Sequence, residues 1–477
     1  MKRNYIIFIS LLTLGIILRF VAFSQLEWFF QDTLHVDEIT YVTGDPPPFE
    51  RPPATYLLAQ TLEKPIHLRI LFSIISLLPA ILFFTLREKN TKNSIIAGLL
   101  AVEPTLLFSG LQILPEAPAA ALLTAALLTI NKKSYLSPWL IGTAALFRGE
   151  LLLFIPVSFF FIKPFKKYLT TTIFILIPLL PVFIINLTSG GDFALAQNGS
   201  MNIWLGSNWS LLETPPGLEF EQLMKETDFR DLAKKEILKD IPGWLGRGAI
   251  KTAAFLSLPG PGRNIEAPRL INETVLKLFL PITLLFLALG LSSIRKNTQS
   301  ALIVTALISA FVFFPSIRHR AVFIPTLALL ATNYRKKTAA IIALVIILTS
   351  LFLNYPARVR AGLTEVQLAQ NELQNNNFHE AINYLNKAEQ LGYRGADLHS
   401  IRGATIASSG GDFQAAAREF ATTLELVPNS PSAWKNMAVL LYNYGHYEDA
   451  SYAAEKAINL NQNLRPELTP ILQNSTP

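Results

Sequence analysis

Apolar residues in this chain gather into runs close to the length of a bilayer-crossing helix, separated by shorter polar stretches rich in proline, glycine and basic residues. Crossing a hydrocarbon core takes about 20 such residues in a helix. On that criterion spans are predicted near 5–24, 66–86, 94–112, 115–130, 170–187, 272–293, 300–316, 321–333 and 338–354. The run at 321–333 is short and needs tilt or extension to cross. The stretch 136–161 is too long for one simple span and holds Arg148 and Glu150 in its middle. It is expected to enter and return to the same face as two half-helices, with Arg148-Gly149-Glu150 at the tip.

The basic residues fit that pattern. Lys2/Arg3, Arg87/Lys89/Lys92, Lys132/Lys133, Lys163/Lys166/Lys167, Arg295/Lys296 and Arg335/Lys336/Lys337 all fall on one side of the predicted bundle, which the positive-inside rule makes cytoplasmic. The N-terminus is then cytoplasmic, and the first run, lacking a small-residue cleavage site, reads as an uncleaved helix. The loops 25–65 and 188–271, the short connections 113–115 and 317–320, and everything after residue 355 face outward. The loop 188–271 carries Asn202-Ile203-Trp204-Leu205-Gly206-Ser207-Asn208-Trp209, a helical run from Phe229 to Leu238, and an amphipathic stretch from Trp244 to Leu256. Such a loop is suited to lying on the bilayer surface over a cavity, and loops of this length are seldom mere connectors.

From about residue 362 the pattern becomes polar and alanine-rich, with a repeat of 34–35 residues. Phe378, Phe413 and Tyr447 recur, each followed three residues on by Ala381, Ala416 or Ala450, and seven further by Ala388, Thr423 or Ala457. Trp434, Met437, Ala438, Leu441 and Gly445 complete the fullest copy. The unit resembles the tetratricopeptide repeat, a pair of antiparallel helices in which small residues allow close approach. The predicted architecture is therefore all-α: residues 1–355 as a polytopic helical bundle with outer loops 25–65 and 188–271, and residues 362–470 as an α-solenoid of about three repeats. Stacks of that kind normally bind a peptide or protein partner.

Composition agrees. The chain has 477 residues, 51% hydrophobic and only 16% charged, against about a quarter charged in soluble domains; its mean hydropathy is +0.36. The net charge of +7 sits in the clusters between apolar runs, which makes it a topology signal before a nucleic-acid one. There is no cysteine, so disulfides and thiolate metal sites are excluded.

Candidate chemistry collects on the side read as outward. Asp37 and Glu38 lie in His35-Val36-Asp37-Glu38-Ile39-Thr40-Tyr41, followed by Gly44-Asp45-Pro46-Pro47-Pro48 and Arg51-Pro52-Pro53. Glu116 stands between two prolines in Leu114-Pro115-Glu116-Ala117-Pro118, and Arg318 and Arg320 in Ser316-Ile317-Arg318-His319-Arg320. Ionisable groups at a membrane boundary are costly unless wet, paired or used. Glu116 also suits a helix start, Arg148 and Glu150 suit one another, and Arg318 and Arg320 suit lipid headgroups. Glu103, before Pro104 inside a predicted span, has no assigned role. No Gly-rich phosphate loop, His-Glu-x-x-His pair or serine elbow is present, so nothing points to ATP, zinc or serine chemistry. Carboxylates with arginines on one face suit departure of a phosphate-linked sugar, the cations holding the phosphate and a carboxylate taking the acceptor's proton.

The order Asp37-Glu38-x-x-Tyr41, Gly44-Asp45-Pro46, Arg51-Pro52-Pro53, Pro104 with Glu116, Arg148-Gly149-Glu150, Asn202 to Asn208, and Arg318 to Pro325 resembles GT-C glycosyltransferases, in the branch of aminoarabinose and protein O-mannosyl transferases. The resemblance covers residues 1–355; the first outer loop is compact and proline-packed, and the Trp-Trp-Asp signature of oligosaccharyltransferases is absent. It implies a polyprenyl-phosphate sugar donor, an acceptor hydroxyl or phosphate on lipid, glycan or protein, and transfer with inversion on the outer face of the cell membrane. Asp37 would then be the base, Glu38 and Glu116 would shape the acceptor side, and Arg148, Arg318 and Arg320 would hold the lipid phosphate, with Arg51 and Glu150 beside the substrate. No cofactor is assigned, and a divalent cation is left open. The competing expectations are a non-enzymatic membrane-anchored scaffold for envelope assembly and a transporter of lipid-linked glycans. The number of spans and the outward carboxylates weigh against the first, and the lack of internal symmetry between halves weighs against the second.

Overall fold

The computed structural model describes residues 2–25, 49, 51–62, 64–130, 135–207, 229–258, 269–313, 317–352, 363–390, 393, 395–428, 430–460 and 462–473. Among them the chain is all helix and connecting loop, with no strand. It divides into two compact units, residues 1–207 with 233–355, and residues 208–232 with 356–477.

The first unit opens with α1 (Lys2–Gln25), α2 (Ala54–Ala59), α3 (Pro65–Ile75), α4 (Leu78–Leu86), α5 (Thr91–Ala101), α6 (Pro104–Ser109) and α7 (Glu116–Thr129). Three stretches are long and apolar enough to cross a membrane: Lys2–Ser24, Pro65–Leu86 and Phe165–Thr188. They present bare apolar side chains outward, among them Ile9, Ile17 and Phe20 on the first and Ile173, Leu180 and Ile184 on the last. Each such face would cost about 25 cal/mol per Å² in water and nothing in hydrocarbon, which associates the unit with a membrane.

Several of the other predicted spans form shorter helices, for reasons local to each. The run 94–112 breaks at Glu103-Pro104: Pro104 has no N–H to continue α5, and Glu103 caps a new helix by accepting the Leu106 N–H at 2.8 Å. The run 115–130 gives only the fourteen residues of α7. At 1.5 Å per residue that is about 21 Å, short of the roughly 30 Å hydrocarbon core. The stretch 136–161 splits, as its central charges predict, into α8 (Leu136–Ala145), a 3₁₀ turn Gly149–Leu153 and α9 (Phe154–Ser158). Arg148 at the break is extended, with φ −134° and ψ 93°. After α10 (Phe165–Leu176) and α11 (Leu180–Thr188) come α12 (Gly199–Ser207), α13 (Phe229–Lys239) and α14 (Ile241–Leu256) in the long loop. The unit ends with α15 (Arg269–Leu291), α16 (Thr298–Val312), α17 (Ile317–Leu330) and α18 (Lys336–Phe352). One core joins these helices, with Phe83, Leu100, Leu106, Leu123, Phe154, Phe286, Leu302 and Ile324 buried. α17 runs through its middle, against α7, α15 and α6.

The second unit is a series of helix pairs: α19 (Leu363–Gln374) with α20 (Phe378–Gln390), α21 (Ala396–Ser408) with α22 (Phe413–Leu426), and α23 (Pro431–Asn443) with α24 (Tyr447–Leu460), followed by α25 (Arg465–Gln473). The recurring aromatics Phe378, Phe413 and Tyr447 are the first residues of α20, α22 and α24. The alanines three residues on, Ala381, Ala416 and Ala450, are each fully buried. Gly410 and Gly445 take φ +72° and +81° between the helices of their pairs, a conformation only glycine adopts freely.

Candidate functional site

Four ionisable side chains from three separated stretches meet in the first unit. Glu116 is the first residue of α7, where backbone N–H groups without helical partners favour a negative charge. Its side chain is fully buried, and Oε1 accepts from Arg148 Nη1 at 2.9 Å and lies 3.5 Å from Arg318 Nε. Arg148, freed from helix geometry by the break after α8, turns its other edge to Glu150, giving Nε and Nη2 to Glu150 Oε1 at 3.0 and 2.6 Å. Arg318 lies in the first turn of α17, the wrong end of a helix for a cation, and Glu116 offsets that. The formal charges of these four side chains cancel. Glu116 Oε2 is buried and accepts no hydrogen bond; an ionised oxygen in that state is expensive.

The backbone gathers further expected segments around this cluster. The Ala54 N–H bonds to Leu146 O at 3.1 Å, which lays Arg51-Pro52-Pro53 along the turn bearing Arg148; Arg51 itself is half-buried. Phe49 donates its N–H to Asn186 Oδ1 and accepts from the Gln197 N–H, tying the start of the long loop to the same place. Asp37 and Glu38, the expected base and its neighbour, lie outside the described residues.

Arg320 goes elsewhere. It sits two residues after Arg318 on α17, and side chains so spaced do not face the same way. It is fully buried, gives Nη2 to Ser257 O at 2.9 Å, lies 5.7 Å from the Phe255 ring centroid, and is within electrostatic reach of Glu103 without forming an ion pair with it. Glu103, unassigned from sequence, is the centre of a second buried network. Oε2 accepts from Thr105 Oγ1 at 2.5 Å and from the Leu106 N–H, and Oε1 from Thr283 Oγ1 of α15 at 2.6 Å. Arg19 of α1 is also buried, bonded to Ser76 Oγ, Gly15 O and Ala101 O. The sequence signal for this network was Glu103 standing before a proline inside an apolar run.

The long loop supplies one more buried ion. Lys251 of α14 is fully buried and gives Nζ to Gly206 O at 2.6 Å and Val312 O at 3.2 Å. Burial pushes its ammonium down to about 7, with the Arg247 charge a smaller contribution. The signal was available: Trp244, Gly248, Lys251 and Phe255 share one helical face, and the lysine is its one charge.

As an arrangement for chemistry, the Glu116 cluster offers two guanidinium groups for a phosphate and one carboxylate oxygen for a hydroxyl. It does not suit a divalent cation as it stands, since Arg148 already lies between Glu116 and Glu150 as the positive charge they share. Among the described residues no three His, Asp or Glu side chains form a ligand set. No model of a known protein family matches the chain, and no curated protein matches it.

Proposed function

We propose that this chain is a multi-pass membrane glycosyltransferase of the GT-C type, moving a sugar from a polyprenyl-phosphate donor to an acceptor hydroxyl or phosphate on lipid, glycan or protein at the outer membrane face. The observation that carries the reading is the Glu116 cluster: a buried carboxylate with an idle oxygen, held by Arg148 and Arg318 from distant stretches. The apolar flank of the first unit supports a lipid-borne donor.

In this reading Arg148 and Arg318 hold the donor phosphate, with Arg51 at the edge of the same turn. Arg320 stands behind them and fixes α17 against the end of α14. Asp37 takes the proton of the acceptor hydroxyl while the acceptor oxygen bonds to the anomeric carbon. The bond from that carbon to the phosphate oxygen breaks, its electron pair leaving with the lipid phosphate, and configuration inverts. Glu38 and Glu116 orient the acceptor, Glu116 through Oε2, and Glu150 keeps Arg148 turned to the site. The helix pairs of the second unit act as a tetratricopeptide-like stack outside the membrane that takes a protein partner; the N-terminus is cytoplasmic.

The test is transfer of labelled sugar from polyprenyl phosphate in membranes carrying the wild-type chain or Asp37→Asn. The variant is expected at wild-type abundance with transfer abolished. Full activity removes the base assignment. Envelope glycans and glycoproteins unchanged by loss of the gene would sink the transferase reading and favour a scaffold.

A further inference from the structure

Lys251 is a buried charge that this chemistry does not use. Both oxygens it bonds belong to helix ends: Gly206 O lies in the last turn of α12, and Val312 O closes α16. Carbonyls there have no partner within their own helix and carry the negative end of the helix dipole. The two ends approach closely at Gly206, where any Cβ would run into Val312 O and the backbone of Phe313. α14 itself is fastened along α16, with Trp244 packed edge-on to Phe311 at 5.4 Å and Thr252 Oγ1 near Leu307 O. Beyond its C-terminus, Ser257 O receives Arg320. α14 therefore grips the polypeptide on both sides of the Arg318 turn, at Val312 before it and at Arg320 after it.

We propose that Lys251 is a positioning residue: its side-chain nitrogen clamps the ends of α12 and α16 together, seating the loop helix that bears Asn202 and Trp204 and fixing the approach to Arg318. An amine in either protonation state keeps at least two N–H donors, one for each carbonyl. A lysine kept only as a filled core position behaves differently, since replacing a buried charge by an apolar side chain of similar shape is often neutral or stabilising. The clamp leaves two bare carbonyls when removed, and α12 has to move to wet them.

The bearing on transfer rests on the function proposed above, but the clamp does not, and the closing experiment reads the clamp alone. Because the chain has no cysteine, one introduced thiol reports one place. Ser207, at the end of α12, is 1% exposed and bonds within its helix to Ile203 O; Ser73, far from the clamp in sequence on α3, is 4% exposed and bonds to Gly110 O. Full-length protein in detergent is labelled with a water-soluble maleimide as Ser207→Cys or Ser73→Cys, each with and without Lys251→Met. The expected result is that Lys251→Met raises labelling at position 207 by about tenfold or more, a local opening of the kind free of global unfolding, while position 73 stays protected. Unchanged labelling at 207 overturns the clamp. So does a parallel rise at both positions, which would make Lys251 a residue of general stability.

Discussion

Two arginines on one turn of α17 have opposite surroundings, and the difference is decided by a spacing of two. Arg318 turns to Glu116 and its cluster; Arg320 turns to Ser257 O and the Glu103 network. One phosphate cannot be gripped by both, so their substitutions should separate. Arg318→Lys keeps the charge but loses the planar fork and is expected to raise the KM for donor while leaving the thermal midpoint unchanged. Arg320→Lys is expected to lower the midpoint with little effect on donor KM. Equal effects on both quantities would put the two side chains back in one site. Glu116→Gln keeps the shape and one acceptor but drops the charge that Arg148 and Arg318 share; transfer is expected to fall by about 10²-fold, as for loss of a positioned polar group. Glu116→Ala, which removes the buried carboxylate that Arg148 and Arg318 share, should also destabilise by about 3–5 kcal/mol, read by thermal unfolding in detergent.

At the scale of elements, the helices follow local chemistry more closely than bilayer arithmetic. Proline positions and side-chain caps end α5, begin α6 and start α14, where Asp240 accepts the Gly243 N–H at 2.9 Å. That bond, with Arg247 beside it, holds the Asp240 carboxyl below the usual carboxylate range. A depressed folded value stabilises above the unfolded one and is lost as pH falls through the folded one. Hydrogen-exchange protection of the first turn of α14 is therefore expected to drop on acidification below about pH 4, near the ordinary aspartate value. In Asp240→Asn, which keeps the cap without the charge, protection should lose that pH dependence. These elements also mark what was legible in the chain. The break at Arg148 and the helix starts at Phe378, Phe413 and Tyr447 could be read because periodicity and turn residues act locally. The interior networks were only hinted at: Glu103 before its proline was visible, but Thr283 of α15, which bonds it, and the buried groups that hold Arg19 of α1 were not, because only packing reveals that an isolated polar residue in an apolar run has a partner. Lys251 is intermediate, since its helical face was visible but the two carbonyls it bonds were not. Of the expected site, Glu116, Arg148, Glu150 and Arg318 come together, Arg320 stands apart, and Asp37 and Glu38 lie outside the described residues.

For the whole molecule, the two units are built on different solvents. The first leaves large apolar side chains such as Phe20, Leu278 and Leu351 bare; the second buries small ones, with Ala381, Ala416, Ala450 and Ala457 at its centres. The proposed topology places the second outside the membrane. Protease added to spheroplasts is then expected to trim the chain beyond about residue 360 and leave a membrane-embedded fragment, while inside-out vesicles protect that region. The opposite pattern would reverse the orientation.

The charge balance around Glu116 has a consequence for the order of events. A newcomer bearing its own negative charge enters by substitution: it takes the guanidinium groups of Arg148 and Arg318 from the two glutamates that now occupy them. Once displaced, Glu116 Oε1 and Glu150 Oε1 join the idle Glu116 Oε2 as acceptors, and a hydroxyl arriving second finds more of them than one arriving first. If the chain is the transferase proposed above, ordered sequential kinetics with the anionic lipid binding first is the expected signature.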